Sequence, residues 1–183
     1  ARTIIFAAWG AEEFGIIGSS EWVEANVERL GRHAVAYVNL DMAAMGTRFG
    51  ASASRSVADA VIRAAELVPQ PGADGSVLDT WRGDRERPAL GDLGGGSDHV
   101  AFLCHVGVPC ISMSARGSAG SAHHSNYDTL TWYRSTVGEG YEGALLLTRL
   151  TSALVADLAD APRPPIDPVA AVADLSSRLD RYE

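Results

Sequence analysis

Three runs of apolar, β-prone residues, at 3–9, 33–40 and 107–113, constrain this chain more than any other feature. They are continuously apolar rather than alternating, the pattern of strands covered on both faces of a sheet. Between and after them lie stretches with helical period. At 16–30, Ile16, Ile17, Trp22, Val23, Val27 and Leu30 form one stripe, and Gly31 is expected to end it. Further helices are expected at 55–68, 98–105, 140–158 and 169–182, with a short strand at 47–53. Residues 69–96 are mostly Gly, Pro, Asp and Arg and read as loop with one turn at 77–81, while 162–168 is a breaker-rich linker. The β-α-β alternation predicts the α/β class with a largely parallel sheet.

Composition narrows the functional classes. The 183 residues are 46% apolar and 21% charged, a chain able to bury a core. No apolar stretch approaches the ~20 residues of a membrane span. Twenty-three acidic residues against fifteen basic ones, all of them Arg, give a formal charge of −8. That balance argues against a nucleic-acid partner, since phosphate recognition needs a basic face. Cys104 and Cys110 alone make no disulfide framework. The chain opens on Ala1 and enters the first apolar run at once, which predicts that it begins inside a larger domain.

In α/β sheets ligands gather beyond the carboxyl ends of the strands. There the sequence places Glu12 and Glu13 after the first run, Asp41 after the second, and His123 and His124 in the loop after the third. Carboxylates and imidazoles together suit zinc or a similar divalent ion. Adjacent side chains diverge, which permits one of the two glutamates to bind metal while the other serves as general base toward a metal-bound water. Zinc brings the pKa of such a water to ~7, and a positioned base adds ~10²–10⁴ in rate. The bland alternative is two solvated glutamates at a helix N-terminus.

The motifs Trp9-Gly10-Ala11-Glu12-Glu13-Phe14-Gly15 with Gly18-Ser19, Asn39-Leu40-Asp41, Gly96-Ser97-Asp98-His99 and His124-Ser125-Asn126-Tyr127-Asp128-Thr129 resemble, in order and spacing, the co-catalytic zinc peptidases related to glutamate carboxypeptidase II, a superfamily that includes the transferrin receptor. The resemblance implies a three-layer α/β/α exopeptidase fold. It implies Glu12 as general base, Glu13 and His124 as ligands of one zinc, and Asp41 as a ligand of the other. Ser97 and His123 would contact the peptide, His123 standing where relatives often have Tyr, and Asp128 would orient His124. Such a centre also needs a bridging carboxylate and a second His, which His33, His99 and His105 do not match in spacing. The resemblance therefore implies a fragment, inactive alone: residues 1–161 from the C-terminal part of the catalytic domain, and 162–183 a linker and the first helix of a helical dimerisation domain. The strongly apolar final helices, with 162–168 between them, predict a homodimeric parent, and an extracellular or periplasmic location follows from kinship alone. The alternative is a non-catalytic, transferrin-receptor-like receptor or interaction module, against which the four retained site residues count. Arg116 alone lies near the end of the third run, so no acidic substrate preference is implied.

Other constellations are weaker. Ser97, Asp98 and His99 are consecutive and cannot converge as a serine triad. Gly94-Gly95-Gly96 lacks phosphate-loop spacing. Cys104 and His105 read as a core cysteine beside an exposed histidine. Asp98, Asp128 and Thr129 are also candidate helix caps.

Overall fold

The computed structural model describes residues 1–180. Its sheet has three strands, β1 (Tyr37–Asn39), β2 (Arg48–Ala53) and β3 (Cys110–Arg116), in the order β1-β3-β2. β1 runs parallel to β3, pairing Asn39 with Ser112, whereas β2 is antiparallel to β3, pairing Ala51 with Met113. The largely parallel sheet expected from the sequence is thus a mixed one. The reason lies in β2, which alternates buried Phe49, Ala51 and Ala53 with more open residues, as suits an antiparallel edge strand on a parallel pair.

Helices cover both faces. On one side lie α3 (Ala58–Leu67), the short α4 (Val77–Arg82) and the long α7 (Glu142–Asp160). Leu146, Leu150, Leu154 and Leu158 recur every fourth residue along α7 and meet Val57, Val61 and Ala65, with Ile111, Met113 and Ala115 beneath. On the other side α1 (Ile17–Ala25), α2 (Val27–His33) and α5 (His99–Ala101), which continues as a π-helical turn at Phe102–Val106, gather Val23, Leu30, Ala101 and Phe102 over Cys110. The period of two along β3 sends Cys110 to one layer and Ile111 to the other. The fold is the α/β class in three layers.

Several boundaries differ from the sequence reading. The run 3–9 forms no strand. Among the described residues no ladder partner meets residues 3–8, so Ile4, Ile5 and Phe6 are exposed, Phe6 at 93%. It is held by its ends: the Arg2 guanidinium donates to the carbonyls of Leu158 and Ala161 at the C-terminus of α7, and the Trp9 indole donates to the Tyr37 hydroxyl. The single helix expected at 16–30 breaks at Asn26, whose side chain donates to Trp22 O at 2.8 Å and so competes with the helical ladder. Gly31 does not end the second half, which reaches His33. β3 starts three residues later than expected, after Gly107 (φ 75°) closes the π turn and the Val108 N–H donates back to Phe102 O. Cys104 is exposed rather than in the core, while Cys110 is buried. Burial pushes the Cys110 thiol up to about 12.

The turn expected at 77–81 is the helix α4, and Ser76 shows why: its hydroxyl accepts from Asp79 N–H while Asp79 accepts from Ser76 N–H, a reciprocal cap. The Ser76 N–H and hydroxyl, with Arg82, hold the Asp79 carboxyl below the usual carboxylate range. A depressed carboxyl stabilises the fold fully above its unfolded value of ~3.9, and the contribution is lost as pH falls through the lower folded value. Melting temperatures followed from pH 6 to pH 2 are expected to show Asp79→Ala below wild type at pH 6 and the two converging below pH ~4; a constant gap would remove the cap from the account.

The terminal helix α8 (Pro168–Leu179) starts from Asp167, whose carboxylate accepts from the N–H groups of Val169 and Ala170. Arg55 and Arg178 share Asp92 and Asp174, pinning α8 to the body. The expected end of this helix at Tyr182 lies outside the described residues.

Candidate metal centre

The segment carrying Glu12 and Glu13 is a compact reversal. Gly18 N–H donates to Gly10 O and Ile17 N–H to Ala11 O, while Gly15 and Ile16 both donate to Glu12 O. A Cβ on Gly18 would stand 2.3 Å from Gly10 O, so a side chain there would push the two glutamates away. Among the described residues five non-glycine positions have left-handed backbone, and four of them, Ala11, Ile16, Met42 and His124, lie at or within three residues of Glu13, Asp41 or His124. Such conformations, strained for a β-branched residue like Ile16, persist only where the surroundings over-determine them.

Folding brings the first and third of these segments into contact. His124 Nε2 stands 2.6 Å from Glu13 Oε1 across 111 residues of sequence. His123 stacks on His124 with ring centroids 3.6 Å apart, and one ligand atom from each of Glu13, His123 and His124 lies within 4.8 Å of the others. Asp41 stands outside this trio, its Oδ2 accepting from the Ser97 hydroxyl at 2.8 Å. Glu12 makes no side-chain hydrogen bond within the described residues. Its carboxyl is pushed above the usual range, first by burial and then by the negative charges of Glu13, Asp41 and Asp98, with His124 opposing. The adjacent glutamates thus diverge in role: one is tied to an imidazole, the other stands unbonded in a negative field.

Ser97, Asp98 and His99 separate as their adjacency requires. Ser97 turns to Asp41, Asp98 accepts from Ser19 at 2.6 Å instead of capping α5, and His99 Nε2 meets Gly94 O at 2.8 Å, tethering the Gly94-Gly95-Gly96 loop. Asp128 is exposed, with its backbone N–H on Ser125 O and no side-chain bond to His124; the neighbouring Thr129 caps α6 (Leu130–Thr136) by accepting from Trp132 N–H. Sequence reasoning missed Ser19 and the buried polar contacts of Tyr37 and Asn39. The available signal was the period of two along β1, which places 37, 39 and 41 on one side.

The donor set fits a divalent cation. A carboxylate and two imidazoles converge, and the charges acting on Glu12 are Glu13, Asp41 and Asp98 against His124 alone, an excess of negative charge that a bound cation would relieve.

Comparison with known proteins places this geometry. Residues 1–139 match the profile of Peptidase family M28. A probable glutamate carboxypeptidase, LAMP1, of Arabidopsis thaliana is 44% identical over 133 residues, covering 72% of this chain and 19% of its own length. Another from the same plant, AMP1, is 33% identical over 184 residues, covering 98% of this chain and 25% of its own. The aminopeptidase NAALADL1 of Mus musculus is 29% identical over 198 residues, covering 99% and 26%. The chain therefore spans about a fifth to a quarter of the length of these relatives. In structure it resembles the aminopeptidase from Aneurinibacillus sp. strain AM-1, with TM-score 0.58 at 20% identity over 87% of this chain and 34% of the other, a likeness of fold. On the match across residues 1–139 and the identity to the plant proteins, this chain belongs to peptidase family M28.

Proposed function

We propose that the chain is part of the catalytic domain of a zinc-dependent exopeptidase. The observation that carries this reading is the meeting of Glu13 with His124 at 2.6 Å, with His123 beside them. Glu13 and His124 would hold one ion, and Asp41 would serve a second. A bound divalent cation supplies Lewis acidity toward a carbonyl and an acidified water. Glu12, unbonded and held above the usual carboxyl range, takes the proton of the attacking water and passes it to the leaving amine. His123, exposed and stacked on His124, is the group we assign to contact the peptide. The names of the relatives support a peptidase, and both carboxypeptidases and aminopeptidases are among them. Val169, Val172, Leu175 and Leu179, an exposed apolar row on α8, support a homodimer.

The test is zinc binding to the 183-residue chain by competition with a chromophoric chelator, with peptidase activity assayed beside it. The expected result is weak zinc binding, no turnover by this chain alone, and loss of binding by at least about tenfold in both Glu13→Gln and His124→Ala. Metal analysis showing two tightly held zincs per chain would contradict a cage shared with ligands beyond Glu13, Asp41 and His124. Zinc affinity unchanged in both variants would remove the centre itself.

A further inference from the structure

Behind Asp41 runs a row of four polar groups that the reaction itself does not use. The Trp9 indole N–H donates to the Tyr37 hydroxyl at 3.0 Å, and Tyr37 donates to Asn39 Oδ1 at 3.1 Å. Asn39 Nδ2 donates to Ser97 Oγ at 2.8 Å, and Ser97 donates to Asp41 Oδ2 at 2.8 Å. The direction is fixed by the ends. An indole can only donate and a carboxylate can only accept, so each group between them has one orientation that satisfies both neighbours. Asn39 and Ser97 are buried, at 4% and 7% exposure, so water does not compete along the middle of the row. Burial pushes the Tyr37 phenol up to about 12, which keeps it a donor throughout the neutral range. Hydrogen bonds aligned head to tail in a low dielectric polarise one another in the same sense.

We propose that Trp9, Tyr37 and Asn39 are positioning residues: their one-way donor chain commits the Ser97 hydroxyl to Asp41 Oδ2, so that the Asp41 carboxylate is held in one orientation toward a cation and Ser97 is not available to donate to a peptide. The proposal rests on the metal-centre reading above and assigns Ser97 a part different from the substrate contact implied by resemblance. It also gives the first chain segment a second function. Residues 3–8 have no ladder, so the approach to Glu12 and Glu13 is fixed by Trp9, through its bond to Tyr37 and its ring contacts with Trp22 (centroids 5.4 Å apart) and Phe102 (6.0 Å). The same indole thus registers the glutamate reversal against the Asp41 carboxylate.

The test uses the whole chain, with zinc as the probe. In the metal-free protein the Trp9 indole N–H resonance, identified by its absence in Trp9→Phe, is expected to move by more than its line width in Ser97→Ala, although Ser97 lies three hydrogen bonds away. Zinc affinity is expected to fall about tenfold or more in Ser97→Ala and about tenfold in Tyr37→Phe, and to return to the wild-type value in Ser97→Thr, which keeps the hydroxyl. An indole resonance unmoved by Ser97→Ala, or a Tyr37→Phe affinity within about twofold of a zinc-binding wild type, overturns the proposal and leaves the metal-centre reading standing. A wild-type chain that takes up no zinc while its indole still responds to Ser97→Ala overturns the metal-centre reading, and with it the purpose assigned to the donor chain.

Discussion

Glu12→Gln is expected to lower peptide turnover by ~10² or more in any peptidase-active form of this protein, with zinc content nearly unchanged. Glutamine keeps the shape of the side chain but cannot accept and return a proton. The structure separates the two carboxyl groups at this reversal: Glu13 meets His124 at 2.6 Å, while Glu12 makes no side-chain bond within the described residues that the substitution would break. Removing the Glu12 charge also relieves its repulsion with Glu13, Asp41 and Asp98, so the substitution introduces no new electrostatic mismatch with the proposed ligands. Turnover and metal content measured on the same preparation decide the matter. Normal turnover would refute the base assignment, and a loss of zinc matching the loss of turnover would make Glu12 a ligand.

The largest effect on stability is expected from Leu150→Ala. Leu150 is fully buried on α7, between Leu146 and Leu154, in the layer that packs α3 against β3. Truncation there removes buried methyl groups and leaves a cavity, costing about 2–5 kcal/mol. Against a typical domain stability of ~5–15 kcal/mol that is a large fraction. Leu145, on the same helix but 52% exposed, supplies the control: Leu145→Ala is expected to stay within about 0.5 kcal/mol. Urea midpoints of the two variants test this pair. Equal losses would mean that the buried face of α7 is not the one described.

Asp41 follows β1 and His124 lies in the loop after β3, as strand-end logic expects, whereas Glu12 and Glu13 follow a run that forms no strand. Glu13 and His124 are each beside short motifs, and their types alone define a metal-binding set. What escaped was whatever depends on a partner distant in sequence. Asp98 reads locally as a helix cap, yet its carboxylate goes to Ser19, 79 residues away. Asn26 carried its own signal against a continuous helix, a short amide able to bond the preceding turn, but the apolar stripe outweighed it in the pattern. Ser76 and Asp79 likewise spelled a cap three residues apart inside a stretch whose Gly and Pro content reads as loop.

The amino-acid order by itself determined the class of the fold and the helices α3 and α7, and it named Glu13, His123 and His124 among its candidates, because period and residue chemistry are local properties. Tertiary structure decided that β2 runs antiparallel, that residues 3–8 stay out of the sheet, and that Trp9 reaches Asp41 through Tyr37, Asn39 and Ser97. Those outcomes turn on which donors and apolar faces find a partner once the layers have packed, and a buried group's partner is set by three-dimensional proximity rather than by its neighbours along the chain.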